Sequence, residues 1–337
     1  MTDNKITTVE LGNGGPQVGV QGLGCMGMSE FYGETDESAA RETLETALAA
    51  GVTLFDTADV YGRGANETFL APFVGAHRGG ITLATKFAIE RTDDPQYRGV
   101  RNDPAYIRQA VEDSLRRLNT DAIDLYYMHR RDPAVPLAES VGAMAELVQQ
   151  GKVKQLGLSE VTGAELREAY AVHPIAALQS EWSLFSRDVE RSAVPAAVEL
   201  GVAFVPYSPL GRGFLTGAFA DAAKDLSKGD FRQYQPRFTG DNAKTNAALL
   251  EPVHKIAAAH GASAAQVALA WVQQRAQVHG LTVVPIPGTR KSSRLLENVA
   301  ATRLTLTAEE LALLEPIAGQ VAGDRYPDMS STSAARE

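Results

Sequence analysis

The chain has 337 residues, of which 44% are apolar and 22% are charged, and its formal net charge at pH 7 is −9. This composition supplies a large folded core and is not that of a disordered chain. The acidic balance, without a basic tract, argues against nucleic acid or an anionic membrane surface as a partner. A single cysteine, Cys25, excludes an internal disulfide.

Targeting and metal-binding signals are not found in the sequence. The N-terminal residues lack the charged and apolar regions of a secretory signal peptide, and no apolar run approaches the roughly 18 residues that a membrane-spanning helix needs. The histidines show no HExxH or Cys–His spacing for zinc. We therefore expect a soluble, cytoplasmic protein without a metal.

A repeated cadence of a short β-branched run, a polar turn and a helical stretch extends along the chain. The strand-like runs are VQGLGCMG, VTLFDTA, ITLATKF, IDLYYMH, VKQLGLSE, IAALQSE, VAFVPYS and LTVVPIPG. Apolar residues spaced i, i+3 and i+4 predict helices at 36–50, 103–118, 137–150, 162–171, 187–200, 263–276 and 292–302. Thr35 or Asp36 is a suitable cap for the first of these helices, and Asp103 ahead of Pro104 is a suitable cap for the second.

Eight strands that alternate with helices pair in parallel through right-handed crossovers, which gives an α/β fold. An open doubly wound sheet and a (β/α)8 TIM barrel both satisfy this cadence. The count of eight, with polar residues ending nearly every strand, favours the barrel. We predict one barrel domain over residues 1–327, with an N-terminal β-hairpin around Gly-Asn-Gly-Gly, extra helices at 244–260 and 307–319, and a flexible tail at 328–337.

Side chains suited to acid–base chemistry end three successive strands. The second strand ends in Asp56, with Tyr61 shortly after it, the third contains Lys86, and the fourth is followed by His129. Strand ends of a barrel converge on one mouth. An ammonium stabilises a phenolate, a carboxylate holds the ammonium, and a histidine either binds a carbonyl oxygen or relays the proton. We predict that Asp56 fixes Lys86 and that Lys86 lowers the pKa of Tyr61.

Longer segments carry these residues in a specific order: FDTADVYGRGANE, LATKF, DLYYMHRRDP, GKVKQLGLSE, ALQSEWSLFSRD, VPYSPLGRGFLTG and PIPGTRKSSRLLENVAA. Together they resemble the aldo-keto reductases over residues 7–322, and GLGCMGMSEFYG is similar to the perakine-reductase-like bacterial and plant branch. The resemblance implies a barrel that uses NAD(P)H without a Rossmann domain. It also implies hydride transfer to an aldehyde or ketone carbon, with Tyr61 protonating the developing alkoxide.

The stretch PIPGTRKSSRLLENVA has the character of an anion site, because a strand ending in Gly288 precedes a helix start with free N–H groups. Hydroxyls and cations surround it: Thr289, Arg290, Lys291, Ser292 and Arg294. They suit a phosphate monoester, although a solvated basic helix start is the alternative. Through the resemblance, Arg294 contacts the adenosine 2′-phosphate, and Glu297 and Asn298 touch the adenine. NADPH is therefore predicted over NADH.

The nicotinamide end is predicted from the remaining strand ends. Tyr207 offers a ring for stacking, and the resemblance assigns Ser159 and Gln179 to the carboxamide. Glu160 stands where Asn is commoner, and an ionised carboxylate only accepts hydrogen bonds. The rest of the cofactor groove is predicted to contain Gly24, Cys25, Met26, Ser208, Leu210, Gly211, Arg212 and Gly213. Segment 211–243 is predicted to close over the pyrophosphate, with a merely flexible insertion as the alternative.

Substrate choice is expected to depend on positions beside the four strand-end residues: Met28, Tyr32, Val60, Phe87 and Arg130. Arg130 either favours an acidic or polar substrate group or forms a structural ion pair with Asp132. The predicted partner is a small-molecule carbonyl compound, and no long heptad seam marks an oligomer interface. Two alternatives stay open: a cofactor-binding regulatory or redox-sensing subunit with little turnover, and a barrel aldolase in which Lys86 forms a Schiff base.

Overall fold

A parallel sheet forms the centre of the fold. The structure is a computed structural model that describes residues 5–33, 35–93, 99–219, 225–226 and 229–337. Within these residues the strands are β1 (Thr8–Glu10), β2 (Gln17–Gly19), β3 (Leu23–Gly24), β4 (Leu54–Asp56), β5 (Thr82–Phe87), β6 (Ile89–Glu90), β7 (Gly99–Val100), β8 (Ile123–Met128), β9 (Val153–Ser159), β10 (Ala177–Glu181) and β11 (Ala203–Tyr207). The parallel sheet has the order β11-β10-β9-β8-β5-β4-β3.

Residues 282–288 close this sheet into a barrel. They form one parallel bridge between Val283 and Phe204 of β11 and another between Gly288 and Gly24 of β3. The segment is the eighth strand-like run of the sequence, and it joins the last strand of the sheet to the first. The predicted (β/α)8 barrel is confirmed, and the open doubly wound sheet is excluded.

Helices surround the barrel. Those in the described residues are α1 (Glu37–Ala49), α2 (Ala65–His77), α3 (Pro104–Leu118), α4 (Leu137–Gln149), α5 (Gly163–Val172), α6 (Ala193–Leu200), α7 (Gly240–Ala248), α8 (Glu251–His260), α9 (Ala264–His279), α10 (Ser292–Ala300) and α11 (Ala308–Leu314). Six of the predicted helical stretches agree with these bounds to within three residues. Within the described residues, no helix combines the length and the apolar character that crossing a bilayer requires.

The helix predictions fail in four places. The stretch at 187–200 becomes α-helical only from Ala193, 244–260 is two helices, and the C-terminal helix ends at Leu314. The sequence pattern also does not predict α2, which contains Pro72. Proline lacks the amide donor of a helix interior and usually ends a helix, so the pattern argues against α2 locally.

Two carboxylates fix the starts of helices on the barrel, as predicted. Asp36 Oδ1 accepts from the backbone N–H groups of Ser38 (2.9 Å) and Ala39 (3.1 Å) at the start of α1. Asp103 Oδ1 accepts from Tyr106 N (3.0 Å) at the start of α3. Each carboxylate satisfies donors that have no partner inside the helix.

The hairpin of β1 and β2 closes the N-terminal end of the barrel. Leu11 and Val18 are fully buried in the cluster that fills the barrel interior together with Leu125. The turn between the strands approaches the barrel so closely that a Cβ on Gly12 would lie 2.2 Å from Ala176 O. The hairpin predicted around Gly-Asn-Gly-Gly is therefore confirmed, and it leaves the opposite end as the open mouth.

A glycine makes room for a large ring in the barrel interior, below that mouth. Gly157 of β9 pairs with Tyr127 of β8, and a Cβ on Gly157 would lie 2.4 Å from carbon atoms of the Tyr127 ring. The ring is fully buried, and Lys86 Nζ lies 6.0 Å from its centroid. The missing side chain at Gly157 thus determines where this ring packs.

Gly157→Ala is expected to lower the free energy of unfolding by about 1–3 kcal/mol, because the Tyr127 ring must move in a packed interior. The control is Gly142→Ala in α4, where an added Cβ meets nothing within 4 Å. That change should be neutral or stabilise by up to ~1 kcal/mol, since alanine favours a helix. Guanidinium unfolding of both variants measures the difference, and equal stabilities would contradict this account of the interior.

Candidate active site

The four predicted strand-end residues meet at the C-terminal mouth of the barrel. Asp56 ends β4, Lys86 lies near the end of β5, and His129 follows β8, and these three strands are neighbours in the sheet. Tyr61 lies in the loop after β4, where Arg63 has a positive φ of 54°. The rings of Tyr61 and His129 meet edge to face, with centroids 5.9 Å apart.

Lys86 is fully buried and is held by three oxygen atoms. Its ammonium forms an ion pair with Asp56 Oδ1, donates to Thr57 O at 2.8 Å and reaches Tyr61 Oη at 3.4 Å. The second Asp56 oxygen, Oδ2, accepts from Gln179 Nε2 at 2.8 Å. Asp56 therefore contacts Lys86 as the sequence prediction requires, and Gln179 in turn positions Asp56.

The electrostatics of Tyr61 differ from the prediction. Burial raises the pKa of the phenol above its ordinary value of 10.0, and Lys86 offsets only part of that rise. Burial lowers the pKa of the Lys86 amine, but Asp56 and Tyr61 together outweigh this and hold the pKa above 10.5. The predicted net lowering of the Tyr61 pKa is wrong for this arrangement, because burial of the phenol outweighs the effect of Lys86 and the negative charge of Asp56 raises the pKa further. At neutral pH the phenol is protonated and the amine is charged.

The charge on Lys86 also bears on the aldolase alternative. A lysine that forms a Schiff base attacks as the neutral amine, usually after its pKa has been lowered. Here the ammonium is paired with Asp56, and the pKa of the amine is raised. The site therefore lacks the nucleophile that a Schiff-base aldolase needs.

His129 is a neutral hydrogen-bonding group. Burial lowers the pKa of its imidazole well below 6.5, and the charges of Arg130 and Lys86 lower it further. Its backbone N–H donates to Phe87 O at 2.9 Å, which ties the end of β8 to β5. A neutral imidazole has one N–H donor. His129 can therefore donate a hydrogen bond to a carbonyl oxygen while it stays uncharged.

The residues predicted to bind a 2′-phosphate divide into two groups. Lys291 and Arg294 are exposed at the start of α10, and neither forms an ion pair within the described part of the chain. Arg290 instead holds the loop after β3, because its guanidinium donates to Tyr32 O (2.7 Å) and Gly33 O (3.2 Å). The predicted phosphate contact of Arg290 is therefore corrected to a structural role.

The remaining residues of the predicted adenosine side surround the junction between β3 and segment 282–288. A Cβ on Gly288 would lie 3.1 Å from Gly24 O, so the two backbones approach closely. Asn298 is buried, whereas Thr289 and Glu297 are half-buried. Gly288 and Thr289 precede α10, and Glu297 and Asn298 lie in its second half, so the adenosine contacts of these residues stay a prediction.

The turn after β11 uses part of the backbone that was predicted to bind a pyrophosphate. Gly211 N donates to Ser208 O (2.8 Å), and Gly213 N donates to Leu210 O (2.9 Å). These two N–H groups are therefore occupied within the turn. The Arg212 side chain between them has no carboxylate within 4 Å in the described residues, and it remains the predicted pyrophosphate ligand of this turn.

The long loop after β11 contacts the loop after β3 across the mouth. The Phe231 ring lies 5.4 Å from the Phe31 ring and 5.3 Å from the Tyr32 ring, between centroids. Residues 220–224 and 227–228 of the predicted lid lie outside the described residues. The described part of the loop therefore already bridges two sides of the mouth.

Three residues predicted at the mouth lie in the core instead. Cys25 is fully buried, and its backbone N–H donates to Asp56 O at 2.8 Å. Phe87 is fully buried and stacks on Tyr126 at 5.1 Å, because successive side chains of a strand point to opposite faces. Met28 is 2% exposed. None of the three side chains is placed to contact a ligand.

The other predicted substrate positions keep varying access to the mouth. Met26 and Tyr32 are partly exposed, and Val60 is almost fully buried next to Tyr61. They remain candidates for contact with a substrate.

The predicted nicotinamide contacts lie at the ends of β9, β10 and β11. Ser159 is buried, and its Oγ accepts from Arg130 Nη1 at 3.3 Å. Tyr207 is half-buried, and its hydroxyl donates to Glu160 Oε1 at 2.8 Å. The Gln179 amide nitrogen is bound to the carboxylate at the end of β4, which leaves the amide oxygen for another partner. The three side chains thus share one side of the mouth.

Glu160 has a role that the sequence does not predict. Its buried carboxylate forms an ion pair with Arg325 (3.1 Å) and accepts from Ser333 N (3.1 Å), while its carbonyl oxygen accepts from Arg336 Nη2 (2.6 Å). Burial alone would raise the pKa of this carboxyl, but Arg325 and Arg130 outweigh it and hold the pKa at about 2. Glu160 is therefore an internal anchor rather than a ligand for a carboxamide.

This anchor changes the prediction for the C-terminal tail. The sequence predicts a flexible tail at 328–337, whereas the structure packs it against the end of β9, because the buried Glu160 requires cationic and N–H donors. Just before it, Tyr326 Oη lies 3.2 Å from Tyr207 Oη and accepts from Arg212 Nη2 at 2.5 Å. The sequence gives one signal for this packing of the tail, which is the glutamate at position 160 in place of the commoner asparagine.

Comparisons with known proteins agree with this geometry. The family described as "Aldo/keto reductase family" matches residues 22–318. A glycerol dehydrogenase, AKR11B4, from Gluconobacter oxydans is 27% identical over 97% of this chain and 99% of its own, with a TM-score of 0.80. The holo form of the aldo-keto reductase AKR11C1 from Bacillus halodurans is 27% identical over 96% and 100%, with a TM-score of 0.74. A thermostable aldo-keto reductase, Tm1743, in complex with the inhibitor epalrestat is 29% identical over 93% and 100%, with a TM-score of 0.71.

Glu160→Gln is expected to lower the free energy of unfolding by about 3 kcal/mol at pH 7, because Arg325 loses a charged partner in a buried site. The folded pKa of about 2 lies below the ordinary 4.5. The carboxylate therefore stabilises fully above pH 4.5, and this contribution is lost as the pH falls towards 2. The stability difference between wild type and variant should shrink over that range, as urea unfolding at several pH values would measure.

The matched control for this prediction is Glu199→Gln, which removes an exposed ion pair with Arg167. Its stability should not change measurably, since exposed pairs contribute little. Carboxypeptidase should shorten the C-terminal segment faster in Glu160→Gln than in the control. Equal stability and equal digestion of the two variants would contradict the anchor role.

Proposed function

Because the chain belongs to the aldo/keto reductase family, we propose that it reduces aldehydes and ketones to alcohols with NADPH, and that Tyr61 donates the proton. Family membership makes the chain an oxidoreductase that acts on small carbonyl compounds with a nicotinamide cofactor. The preference for NADPH, the proton donor and the branch of the family are parts of the proposal.

The observation that carries the proposal is the setting of the Tyr61 hydroxyl. It lies 3.4 Å from a buried ammonium, Lys86, and the Tyr61 ring packs against the neutral imidazole of His129. Burial keeps the phenol protonated, so it can donate to an oxygen that gains negative charge. The ammonium then stabilises the phenolate that is left.

Each member of the cluster has a separate task in this reaction. The nicotinamide, when bound, supplies the hydride. His129 donates a hydrogen bond to the substrate carbonyl oxygen and orients it, and Tyr61 transfers its proton to that oxygen as charge develops. Lys86 stays charged throughout, because Asp56 holds it and Gln179 Nε2 binds the other carboxylate oxygen. These contacts hold the charged groups in position before the reaction begins. Electrostatic stabilisation is most effective in such a preorganised site.

The residues present fit a dinucleotide that carries a 2′-phosphate. Lys291 and Arg294 offer two cations without ion pairs in the described part of the chain, next to the N-terminus of α10. Such a site favours a phosphate monoester over a ribose diol. At the other end of the groove, we assign Ser159 and the Gln179 amide oxygen to the carboxamide and the Tyr207 ring to stacking on the nicotinamide. This donor set supports NADPH as the cofactor.

Tyr61→Phe is expected to lower kcat for carbonyl reduction by about 10²- to 10⁴-fold, which is the usual contribution of a general acid. Its Kd for NADPH should stay within a factor of about three, since the hydroxyl is expected to act in the transition state and to add little to binding of the cofactor in the ground state. The assay follows loss of NADPH absorbance across a panel of aldehydes and ketones and is repeated with NADH. The control is Tyr234→Phe, at a tyrosine that is 72% exposed. Activity retained in Tyr61→Phe would remove this residue from the acid role.

The rate of reduction is expected to stay constant from about pH 6.5 to 9 and to fall only above pH ~10, because the reaction needs the protonated phenol. The pKa of Tyr61 is raised above 10.0, and that of His129 lies well below 6.5, so neither group titrates in this range. Oxidation of the alcohol needs the phenolate and should therefore rise with pH over the same range. A reduction rate that falls between pH 7 and 8 would contradict this assignment.

A further inference from the structure

We propose that the guanidinium of Arg130 binds an anionic group of the substrate, so that the enzyme prefers carbonyl compounds that carry a carboxylate. The inference rests on the proposed function, because it assigns a substrate class to the same site. The charge of Arg130, its position at the mouth and its free donors fit this task.

Arg130 is a buried cation without a counter-ion. It is 9% exposed, and no carboxylate lies within 4 Å of it in the described residues. Its Nη1 donates to His129 O (2.7 Å) and Ser159 Oγ (3.3 Å). In the same part of the chain, Nε and Nη2 donate to no acceptor. Two donors of a planar fork are thus left for a ligand, and carboxylates bind such a fork bidentately.

The structural alternative for Arg130 does not form. Asp132, the expected ion-pair partner, accepts from Ala134 N (2.9 Å) through Oδ1 and donates its own backbone N–H to Asn102 Oδ1 (2.5 Å). Asn102 is fully buried, and its Nδ2 donates to Arg130 O at 3.0 Å. The backbone of Arg130 is therefore held by neutral hydrogen bonds, and its guanidinium forms no ion pair in the described residues, although its charge helps to lower the pKa of Glu160 from a distance.

Other buried arginines in the described chain are neutralised by a carboxylate. Arg325 pairs with Glu160 at 3.1 Å, and Arg275 pairs with Glu315 at 3.1 Å. Glu160 is the anion on the same side of the mouth as Arg130, but both its oxygens are already engaged by the C-terminal segment. Since an unpaired buried charge is costly, the charge on Arg130 is retained for a partner that arrives with the ligand.

The position of Arg130 selects the substrate as that partner. It directly follows His129 at the end of β8 and reaches Ser159 at the end of β9, so it lies beside the imidazole that binds the carbonyl oxygen. The phosphates of the cofactor have their own cations, Arg212 in the turn after β11 and Arg294 at α10. The one competing use of Arg130 is the nicotinamide carboxamide, through its contact with Ser159.

The test compares three aldehydes with one reacting group: 4-carboxybenzaldehyde, 3-carboxybenzaldehyde and the neutral methyl ester of the first. The ester withdraws electrons as the acid does but carries no charge. For wild type, kcat/KM for the better carboxylate should exceed that for the ester by about 10- to 100-fold, as a charge-assisted pair gives. The difference should appear in KM and weaken as salt is added.

The variants are Arg130→Gln and Arg130→Lys, and the matched control is Arg131→Gln, whose guanidinium donates to Val135 O at 2.8 Å. Arg130→Gln should lose the preference for the carboxylate, so that the ratio of kcat/KM for the better acid to that for the ester falls to about one. Arg130→Lys should keep part of the preference, because the charge remains without the fork. Arg131→Gln should keep the wild-type ratio. Kd for NADPH and circular dichroism are measured for each variant.

The outcomes separate this inference from the proposed function. Equal kcat/KM for the acids and the ester in wild type would overturn the inference and leave the reductase standing. An Arg130→Gln variant that loses NADPH affinity and slows all three aldehydes equally would overturn it in favour of a cofactor contact. Oxidation of NADPH by none of the aldehydes, nor by a wider carbonyl panel, would instead overturn the proposed function itself.

Discussion

The buried ion pair between Lys86 and Asp56 is the interaction on which the site depends. An ammonium with no solvent access is tolerated only because a carboxylate, a backbone carbonyl and a phenol surround it. All three groups come from the end of β4 and the loop after it, whereas Lys86 lies on β5, so the pair forms only when these two strands pair in the right register. The closed barrel in turn depends on close approaches such as Gly157 against the Tyr127 ring below the amine. The strand register that closes the barrel is therefore also what brings Lys86 and Asp56 together.

A second buried charge organises the opposite side of the mouth. Glu160 requires donors, and the C-terminal segment supplies them from a distance of 165 residues in sequence. The same segment brings Tyr326 to Tyr207 and Arg212, so an anchor made for electrostatic reasons also sets the position of aromatic rings beside the predicted nicotinamide contacts. The position of the C-terminal segment at this side of the mouth therefore follows from the hydrogen bonds and the ion pair that the Glu160 carboxylate requires.

The sequence predicts those features that depend on local period or on strand ends. Eight runs and their polar C-terminal residues place Asp56, Lys86 and His129 correctly, because barrel strands converge on one mouth. Phe87 was placed there as well, although two adjacent residues of a strand cannot both face the ligand. The partners of Arg290 lie up to 263 residues away, and such contacts leave no periodic signal. Long-range polar partners are thus the part that sequence reasoning does not supply.

The distribution of charge explains how an acidic protein can bind anions. The chain carries a net charge of −9, yet the cations without a carboxylate partner in the described residues include Arg130 and Arg212 at the mouth and Arg294 at α10. Clefts lined by one sign of charge concentrate ligands of the opposite sign, whatever the net charge of the protein. Each cation lies on a different element, so each can bind a separate anionic group without competing with the others. The preference for a carboxylate substrate that we propose depends on this separation, because it leaves Arg130 free of the cofactor phosphates.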